Sequence, residues 1–270
     1  MTPHFPDGLD ADRVLRTLLA AAEAAAELTL SRFRTPLAVE NKFAIGFDPV
    51  TEADLMAETA IRKVIEEAFP DHGITGEEWD PKAADSAFEW IIDPIDGTRA
   101  YISGVPVWGT LIGLTHRGRA VAGLMAQPFT GESWIGMPGE THYVHRDTNA
   151  VARTSGVDKL AKAKLSTTTP ELFSNGLADV WTAVRNAALQ CRYGLDCYAY
   201  CLLASGHIDL VVEAGLKNVD IAPLIPIIEN AGGIVTNWQG GPAETGGNCI
   251  AAATPALHAE TLALIRRHGG

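Results

Sequence analysis

The stretch W-I-I-D-P-I-D-G-T at residues 90–98 decides the fold. It reads as an apolar strand that ends in two carboxylates, Asp93 and Asp96, three residues apart at a turn. There both carboxylates can converge on one cation, the carbonyl group of Ile95 can turn inward, and Gly97 permits a close backbone approach. If a helix begins directly after this glycine, its first N–H groups face the same spot and favour a phosphate. Hard oxygen ligands of this kind suit Mg²⁺ or Mn²⁺ rather than Zn²⁺.

Further acidic residues favour a metal site at this turn. A pair of aspartates alone is also typical of a surface loop, so the other carboxylates carry the interpretation. Glu77 ends an earlier short strand, and Asp220 begins a later helix. Asp54 lies three residues after Thr51, in a helix N-terminus of the capping-box type. We therefore expect these carboxylates to meet around one centre.

Helix and strand patterns alternate along the chain and predict a mixed α and β protein built in layers. A polar, loop-rich stretch at 138–155 separates two halves, which we assign to residues 1–145 and 146–270. The first half holds most of the metal ligands, and the second supplies Asp220 and the residues that select the substrate. The predicted helices cover 10–34, 51–69, 178–189, 196–204, 220–231 and 255–267, and the predicted strands cover 73–76, 88–93, several runs within 107–137, 208–213, 234–238 and 249–253.

Composition excludes several other classes of protein. The chain has 270 residues, of which 47% are hydrophobic, and its net charge is −12, so broad binding to nucleic acid is not expected. The sequence has no apolar run of about 18 residues, so it predicts no membrane span. The N-terminus lacks a signal pattern, and we therefore expect a cytoplasmic protein. The four cysteines form no C-x-x-C pair and are interpreted as buried free thiols. His142 and His145 lack a third ligand, which argues against zinc.

From about Lys42 to about Ala253 the chain resembles the inositol monophosphatase-like, lithium-sensitive metal phosphatases. The motif W-I-I-D-P-I-D-G-T and the later D-I-A followed by A-G-G carry the resemblance. It implies a layered αβαβα sandwich of the inositol monophosphatase and fructose-1,6-bisphosphatase type, with the active site between two halves. It also implies hydrolysis of a small phosphate monoester, dependence on Mg²⁺, and a homodimer. No Walker A or G-x-S-x-G motif suggests another chemistry.

The resemblance also implies roles for single residues. Two or three Mg²⁺ ions are expected, with Mn²⁺ as a possible substitute, and the third ion binds more weakly near Glu77. Asp54 and Thr98 would position and help deprotonate the attacking water. Lys42 matches a lysine near the metal site and is either a minor electrostatic contributor or a solvated loop residue. The first ion would be held by Glu77, Asp93 and the Ile95 carbonyl, the second by Asp93, Asp96 and Asp220, and the substrate would contact Asp96, Gly97, Thr98 and Asp220.

Two segments favour a positively charged substrate. Asp196 stands where inositol-type members carry a small neutral residue, and Glu213 matches a carboxylate that contacts substrate. With T-R-A-Y-I-S-G-V-P-V-W-G-T at 98–110, these segments resemble the histidinol-phosphatase branch, which acts in histidine synthesis. Arg192 or Arg99 would help shape the pocket. Asp196 is alternatively a helix N-cap.

Departures from that branch leave other functions open. Leu195 replaces an expected glycine, and Asn218-Val219 replaces an expected proline and aromatic residue. An inositol-1-phosphate phosphatase or a broad sugar phosphatase is therefore the alternative. A third hypothesis is a non-catalytic partner of the transcription machinery. The full set of metal-site positions and the lack of a basic patch argue against it.

Overall fold

The computed structural model describes residues 5–36, 38–41, 49–174 and 176–269. Lys42 lies outside the described residues. The helices are α1 (Ala11–Leu30), α2 (Glu52–Ala68), α3 (Thr98–Ile102), α4 (Ala178–Ala187), α5 (Asp196–Ala204), α6 (Asn218–Ile221), α7 (Leu224–Glu229) and α8 (Pro255–Arg267). The strands are β1 (Val39–Asn41), β2 (Pro49–Thr51), β3 (Gly73–Gly76), β4 (Phe88–Asp96), β5 (Gly109–His116), β6 (Arg119–Gln127), β7 (Glu132–Met137), β8 (Glu140–His145), β9 (Thr148–Val151), β10 (Lys164–Thr167), β11 (Gln190–Tyr193), β12 (Leu210–Leu216), β13 (Ile234–Asn237) and β14 (Gly247–Ala252).

Most of the strands form two sheets. The larger sheet has seven strands in the order β3-β4-β5-β6-β7-β8-β9, and the smaller has five in the order β11-β10-β12-β14-β13. In the larger sheet β3 and β4 run parallel, and each later strand runs antiparallel to the one before it. In the smaller sheet β10 runs parallel to both its neighbours. The strands β1 and β2 form a separate antiparallel pair.

Helices cover both faces of each sheet and give five layers. The first layer is α1 and α2, because buried side chains such as Val14, Leu18 and Ile61 pack with Ile92 and Ile112 of the larger sheet. Between the sheets lie α5 and α7, and α4 and α8 cover the outer face of the smaller sheet. The order is therefore αβαβα, which confirms the expected architecture.

A row of glycines lets the chain around α7 lie directly on the larger sheet. Gly113, Gly123 and Gly136 are neighbours across β5, β6 and β7. A Cβ atom on Gly123 would lie 1.9 Å from the carbonyl oxygen of Pro223, and one on Gly136 would lie 2.4 Å from the backbone nitrogen of Ile227. Only glycine leaves room for this contact, which fixes the segment that follows Asp220.

The structure differs from the sequence-based expectation in several places. The stretch 138–155 is not a loop, because it contains β8 and β9, whose polar side chains suit the edge of a sheet. The helix expected at 10–34 ends at Leu30, and the helix expected at 220–231 is split into α6 and α7. The short strands β1, β2, β10 and β11 were not predicted. The division into two halves stays a prediction.

The interpretation of the cysteines as buried free thiols is confirmed for three of the four, since Cys191 is only partly buried. All four cysteines are free, and Cys197, Cys201 and Cys249 are buried. In the described part of the chain, no helix combines the length and the apolar character needed to cross a membrane.

A buried histidine makes stability depend on pH. The His72 ring stacks between Phe69 and Phe88, with ring centroids 4.5 and 5.1 Å away, and its Nδ1 accepts a hydrogen bond from Trp90 Nε1 at 3.1 Å. Burial lowers the pKa of the imidazole below its usual value of 6.5. Since the folded state holds His72 neutral, its contribution is present above pH 6.5 and is lost as the pH falls through the lowered pKa.

We expect His72→Phe to lower the free energy of unfolding by about 1–3 kcal/mol at pH 7.5, because the Trp90 N–H loses its acceptor. The gap in the free energy of unfolding should narrow at pH 5, because the unfolded wild type then binds a proton at His72 that burial disfavours in the folded state. Urea unfolding of both proteins at the two pH values measures the gap. An equal gap at both values would show that His72 is not the titrating group.

Candidate metal and phosphate site

A β-bulge brings two aspartates of β4 to one centre. Asp93 pairs with Leu111, and Asp96 pairs with Gly109, so three steps along β4 match two along β5. In a regular strand, residues three apart face opposite sides of the sheet, and the bulge removes this separation. One carboxylate oxygen from each of Asp93, Asp96 and Asp220 lies within 4.8 Å of the others. The aspartates of the W-I-I-D-P-I-D-G-T motif and Asp220 of the D-I-A motif therefore meet, as expected.

The parallel pairing of β3 with β4 brings Glu77 beside Asp93. Gly76 pairs with Ile92, and the backbone N–H of Glu77 donates to the Ile92 carbonyl at 3.2 Å. Because β3 and β4 run in the same direction, both strands lead to their acidic residues at the same edge of the sheet. The charge of Glu77 acts on Asp93 directly, since it is the largest charge effect on that carboxyl group.

A buried glutamate holds the turn that carries Glu77, and sequence reasoning missed it. Glu58 Oε2 accepts a hydrogen bond from the backbone N–H of Glu78 at 2.7 Å, and Oε1 accepts one from Arg62 Nε at 2.8 Å. A Cβ atom on Gly76 would lie 1.9 Å from Glu58 Oε1, so the glycine makes room for this carboxylate. The signal available in the sequence was the Glu58–Arg62 pair at i,i+4 spacing in α2.

Each of the three clustered aspartates accepts a hydrogen bond from a backbone N–H. These bonds hold the carboxylates in place and favour their charged form. The pairs are Ile95 N to Asp93 Oδ1 at 3.0 Å, Cys197 N to Asp96 Oδ2 at 2.7 Å, and Lys217 N to Asp220 Oδ2 at 2.7 Å.

Burial and mutual repulsion raise the pKa values of two of the clustered aspartates, Asp93 and Asp96. Burial raises the pKa of Asp93 well above its usual value, and the charges of Glu77 and Asp96 raise it further. Burial also raises the pKa of Asp96, followed by the charge of Asp220. A divalent cation among these oxygens would remove both effects, and hard oxygen ligands are those that Mg²⁺ prefers. The donor set therefore fits the metal that the resemblance implies.

A cavity of about 250 Å³ opens onto this cluster. Thr98 begins α3, as expected, and its hydroxyl donates to the Ile95 carbonyl at 3.1 Å. Exposed Arg99 also lines the cavity. The residues expected at the site that line it are Glu77, Asp93, Ile95, Asp96, Gly97, Thr98, Asp196 and Asp220.

Asp196 lies in the wall of the cavity against Gly97. Gly97 has a φ of +84°, and a Cβ atom built there would lie 3.1 Å from Asp196 Cβ. Burial raises the pKa of Asp196 to about 6, and the charge of Arg99 opposes this. Asp196 is the first residue of α5 and not its N-cap, a position that belongs to Leu195. Instead, Asp96 accepts the N–H of Cys197 at this helix terminus.

Three expected site residues are not among those that line the cavity. Asp54 is buried at the start of α2, where its Oδ2 accepts hydrogen bonds from the Thr51 N–H at 2.8 Å and the Thr51 hydroxyl at 2.6 Å. Its charge still reaches Asp93, whose pKa it raises. Arg192 is exposed on β11 at the edge of the smaller sheet. The roles expected of both residues stay predictions.

Glu213, the third of these residues, lies behind the wall. Its Oε1 accepts hydrogen bonds from the Thr168 N–H at 2.6 Å and the Thr168 hydroxyl at 3.0 Å, and its Oε2 accepts one from the Thr167 hydroxyl at 3.1 Å. Burial raises the pKa of Glu213 to about 7. Thr168 and Thr169 line the cavity in its place, and sequence reasoning missed both because β10 was not predicted.

Sequence reasoning also left Lys217 without a role. Its ammonium group donates to Glu77 Oε1 at 2.9 Å, and both residues line the cavity. The sequence signal was its position three residues before Asp220.

Comparison with known proteins identifies the family. A model of the inositol monophosphatase family matches residues 10–269. The bifunctional phosphatase IMPL2, chloroplastic, of Arabidopsis thaliana is 38% identical over 99% of this chain and 79% of its own length. A histidinol-phosphatase of Chlorobaculum parvum is 35% identical, with 93% and 96% covered. The structure of an inositol monophosphatase from Zymomonas mobilis superposes with a TM-score of 0.85 at 38% identity, with 96% and 99% covered.

The chain belongs to the inositol monophosphatase family, and it is a phosphatase with that family's layered fold. This family is metal-dependent, and the aspartate cluster is an acidic group able to hold a metal ion.

The contact between Gly97 and Asp196 can be tested with a matched glycine. We expect Gly97→Ala to destabilise the protein and to lower phosphatase activity, because the new methyl group meets Asp196 in addition to the strain of a positive φ. Gly118→Ala is the control, because Gly118 has a φ of +75° and nothing within 4 Å of a new Cβ. It should cost only the backbone strain of about 1–2 kcal/mol. Equal losses of stability and activity in both variants would show that the Asp196 contact is unimportant.

Proposed function

We propose that this protein is a Mg²⁺-dependent phosphate monoester hydrolase whose substrate is L-histidinol phosphate, and that it acts in histidine biosynthesis. The choice of substrate rests on Asp196, a carboxylate in the cavity wall that does not belong to the aspartate cluster. Histidinol phosphate carries an ammonium group and an imidazole, and a buried carboxylate beside the reacting phosphate suits such a cation.

The metal would be held by residues that converge in the cavity. When bound, two or three Mg²⁺ ions would supply positive charge to the phosphate oxygens and lower the pKa of the attacking water. We propose that the ligands are Glu77, Asp93, the Ile95 carbonyl, Asp96 and Asp220.

Residues of the chain then orient the substrate and move the proton. The water oxygen attacks phosphorus, the P–O bond to the alcohol breaks, and the leaving alkoxide takes up a proton. We propose that Asp54 and Thr98 position the water and help to remove its proton, Thr98 from the cavity wall and buried Asp54 through its charge, which also acts on Asp93. The backbone of Gly97 and Thr98 would contact the phosphate at the start of α3.

Glu213 would assist the substrate indirectly. It is buried, and it holds both the backbone and the hydroxyl group of Thr168 in the cavity wall. We propose that Glu213 fixes the shape of this wall, while Asp196 contacts the charged part of the substrate.

An inositol 1-phosphate phosphatase or a broad sugar phosphatase is the second candidate, and the similarity to the Zymomonas mobilis enzyme favours it. Both candidates use the same aspartate cluster, so they differ in what the wall recognises. We further propose a cytoplasmic homodimer that binds neither nucleic acid nor membrane, as the charge of −12 supports for nucleic acid.

Removing one charge from the cluster should stop the reaction and spare the fold. We expect Asp93→Asn to lower Mg²⁺-dependent phosphate release by at least about a thousandfold, because it removes a ligand of the charged centre. Its metal-free thermal stability should equal or exceed that of the wild type, since burial and repulsion already disfavour the Asp93 charge. Activity near the wild-type level would overturn the metal assignment.

Substrate selection depends on the charge of Asp196. We expect the wild type to prefer L-histidinol phosphate over inositol 1-phosphate by about a hundredfold in kcat/KM, equivalent to about 2.7 kcal/mol. Asp196→Asn should remove most of this preference, because it keeps the side-chain shape against Gly97 and removes the charge. Phosphate release from both substrates, with and without Mg²⁺, measures the effect.

Two controls sharpen this experiment. Asp158→Asn removes a charge from an exposed residue and should leave the preference unchanged. Since the pKa of Asp196 is raised to about 6, the wild-type preference should decline as the pH falls below that value, and Asp196→Asn should lack this part of the decline. A wild type that prefers inositol 1-phosphate, or an Asp196→Asn variant that slows both substrates equally, would favour the second candidate.

A further inference from the structure

Lys217 forms an ion pair inside the cavity that holds the aspartate cluster. Its Nζ lies 2.9 Å from Glu77 Oε1. The Glu77 side chain is only 12% exposed, whereas that of Lys217 is 47% exposed. The carboxylate is thus largely withdrawn from water, and a pair of this kind is worth more than one on the open surface.

The backbone of Lys217 is tied to the same cluster. Its N–H donates to Asp220 Oδ2 at 2.7 Å, so the base of the side chain is anchored beside an aspartate of the cluster. The ammonium group is therefore held near Glu77 at a high effective concentration. Because almost half of the side chain is exposed, the group can also leave Glu77 without opening the protein core.

The charges around this pair explain what the ammonium does. The cavity is lined by four carboxylates that belong to Glu77, Asp93, Asp96 and Asp220. Without a cation nearby they repel one another, as the raised pKa of Asp93 indicates. A divalent cation bound to Glu77 would lie close to the ammonium group, and the two positive charges would repel each other.

We infer that Lys217 is an internal counter-ion that competes with divalent cations for Glu77. This inference rests on the proposed function, in which Glu77 is a metal ligand. The ammonium stabilises the metal-free cluster, and it must leave Glu77 when the cation binds there. Lys217 is therefore a regulatory residue that lowers the apparent affinity of the site for Mg²⁺.

Direct binding measurements test the competition without using catalysis. Mg²⁺ is titrated calorimetrically into the metal-free wild type, Lys217→Gln and Lys162→Gln. Lys162 is an exposed lysine at the end of the 3-10 helix Leu160–Lys162, so its variant controls for the lost positive charge. We expect Lys217→Gln to bind Mg²⁺ about fivefold or more tightly than the wild type, and Lys162→Gln to match the wild type.

Thermal unfolding supplies a second readout. Metal-free Lys217→Gln should have a lower Tm than metal-free Lys162→Gln, because its carboxylates have lost their counter-ion. Mg²⁺ should raise the Tm of Lys217→Gln by more than it raises that of the wild type, since tighter binding stabilises the folded state more.

The outcomes separate the inference from the proposed function. Binding of Mg²⁺ by the wild type with unchanged or weaker binding by Lys217→Gln would overturn the inference and leave the proposed function standing. An unchanged metal-free Tm in Lys217→Gln would also overturn the counter-ion role. Absence of Mg²⁺ binding by the wild type would overturn the proposed metal-dependent function, and the inference with it.

Discussion

Repulsion between carboxylates of like charge is the constraint on which the rest of this structure depends. Asp93, Asp96 and Asp220 hold oxygens within 4.8 Å of one another, and Glu77 adds a further charge beside them. Such a group moves apart or takes up protons unless the surrounding structure holds it. The packed layers supply that support, because β4, which carries Asp93 and Asp96, and α6, which carries Asp220, cannot separate independently.

The support consists of contacts made to backbone groups. Asp96 of the larger sheet accepts the N–H of Cys197 in α5, and the segment after Asp220 lies on the glycine row of the larger sheet. Glu58 holds the turn that carries Glu77 through the N–H of Glu78. These contacts join the larger sheet to the layers on both its sides. The geometry of the site therefore depends on the packing of the layers.

The sequence predicted the members of the site better than their surroundings. The spacing of Asp93 and Asp96 at a turn, with Glu77 and Asp220 at element ends, was enough to predict one acidic centre. The β-bulge that joins them could not be predicted, because it depends on the register with β5. Glu213 was expected in the cleft, yet its carboxylate lies behind Thr168, which follows strand β10. This position could not be predicted, because β10 has no clear pattern in the sequence.

Cations accompany the carboxylates that line the cavity. Lys217 donates to Glu77, and exposed Arg99 partly offsets the raised pKa of Asp196. In the proposed function, each of these cations is a partner that a stronger cation can replace. A divalent ion at Glu77 and a substrate ammonium at Asp196 would satisfy the same need, and for this reason we propose a phosphate monoester whose alcohol carries a positive charge. A neutral sugar alcohol would leave the charge of Asp196 to Arg99 alone.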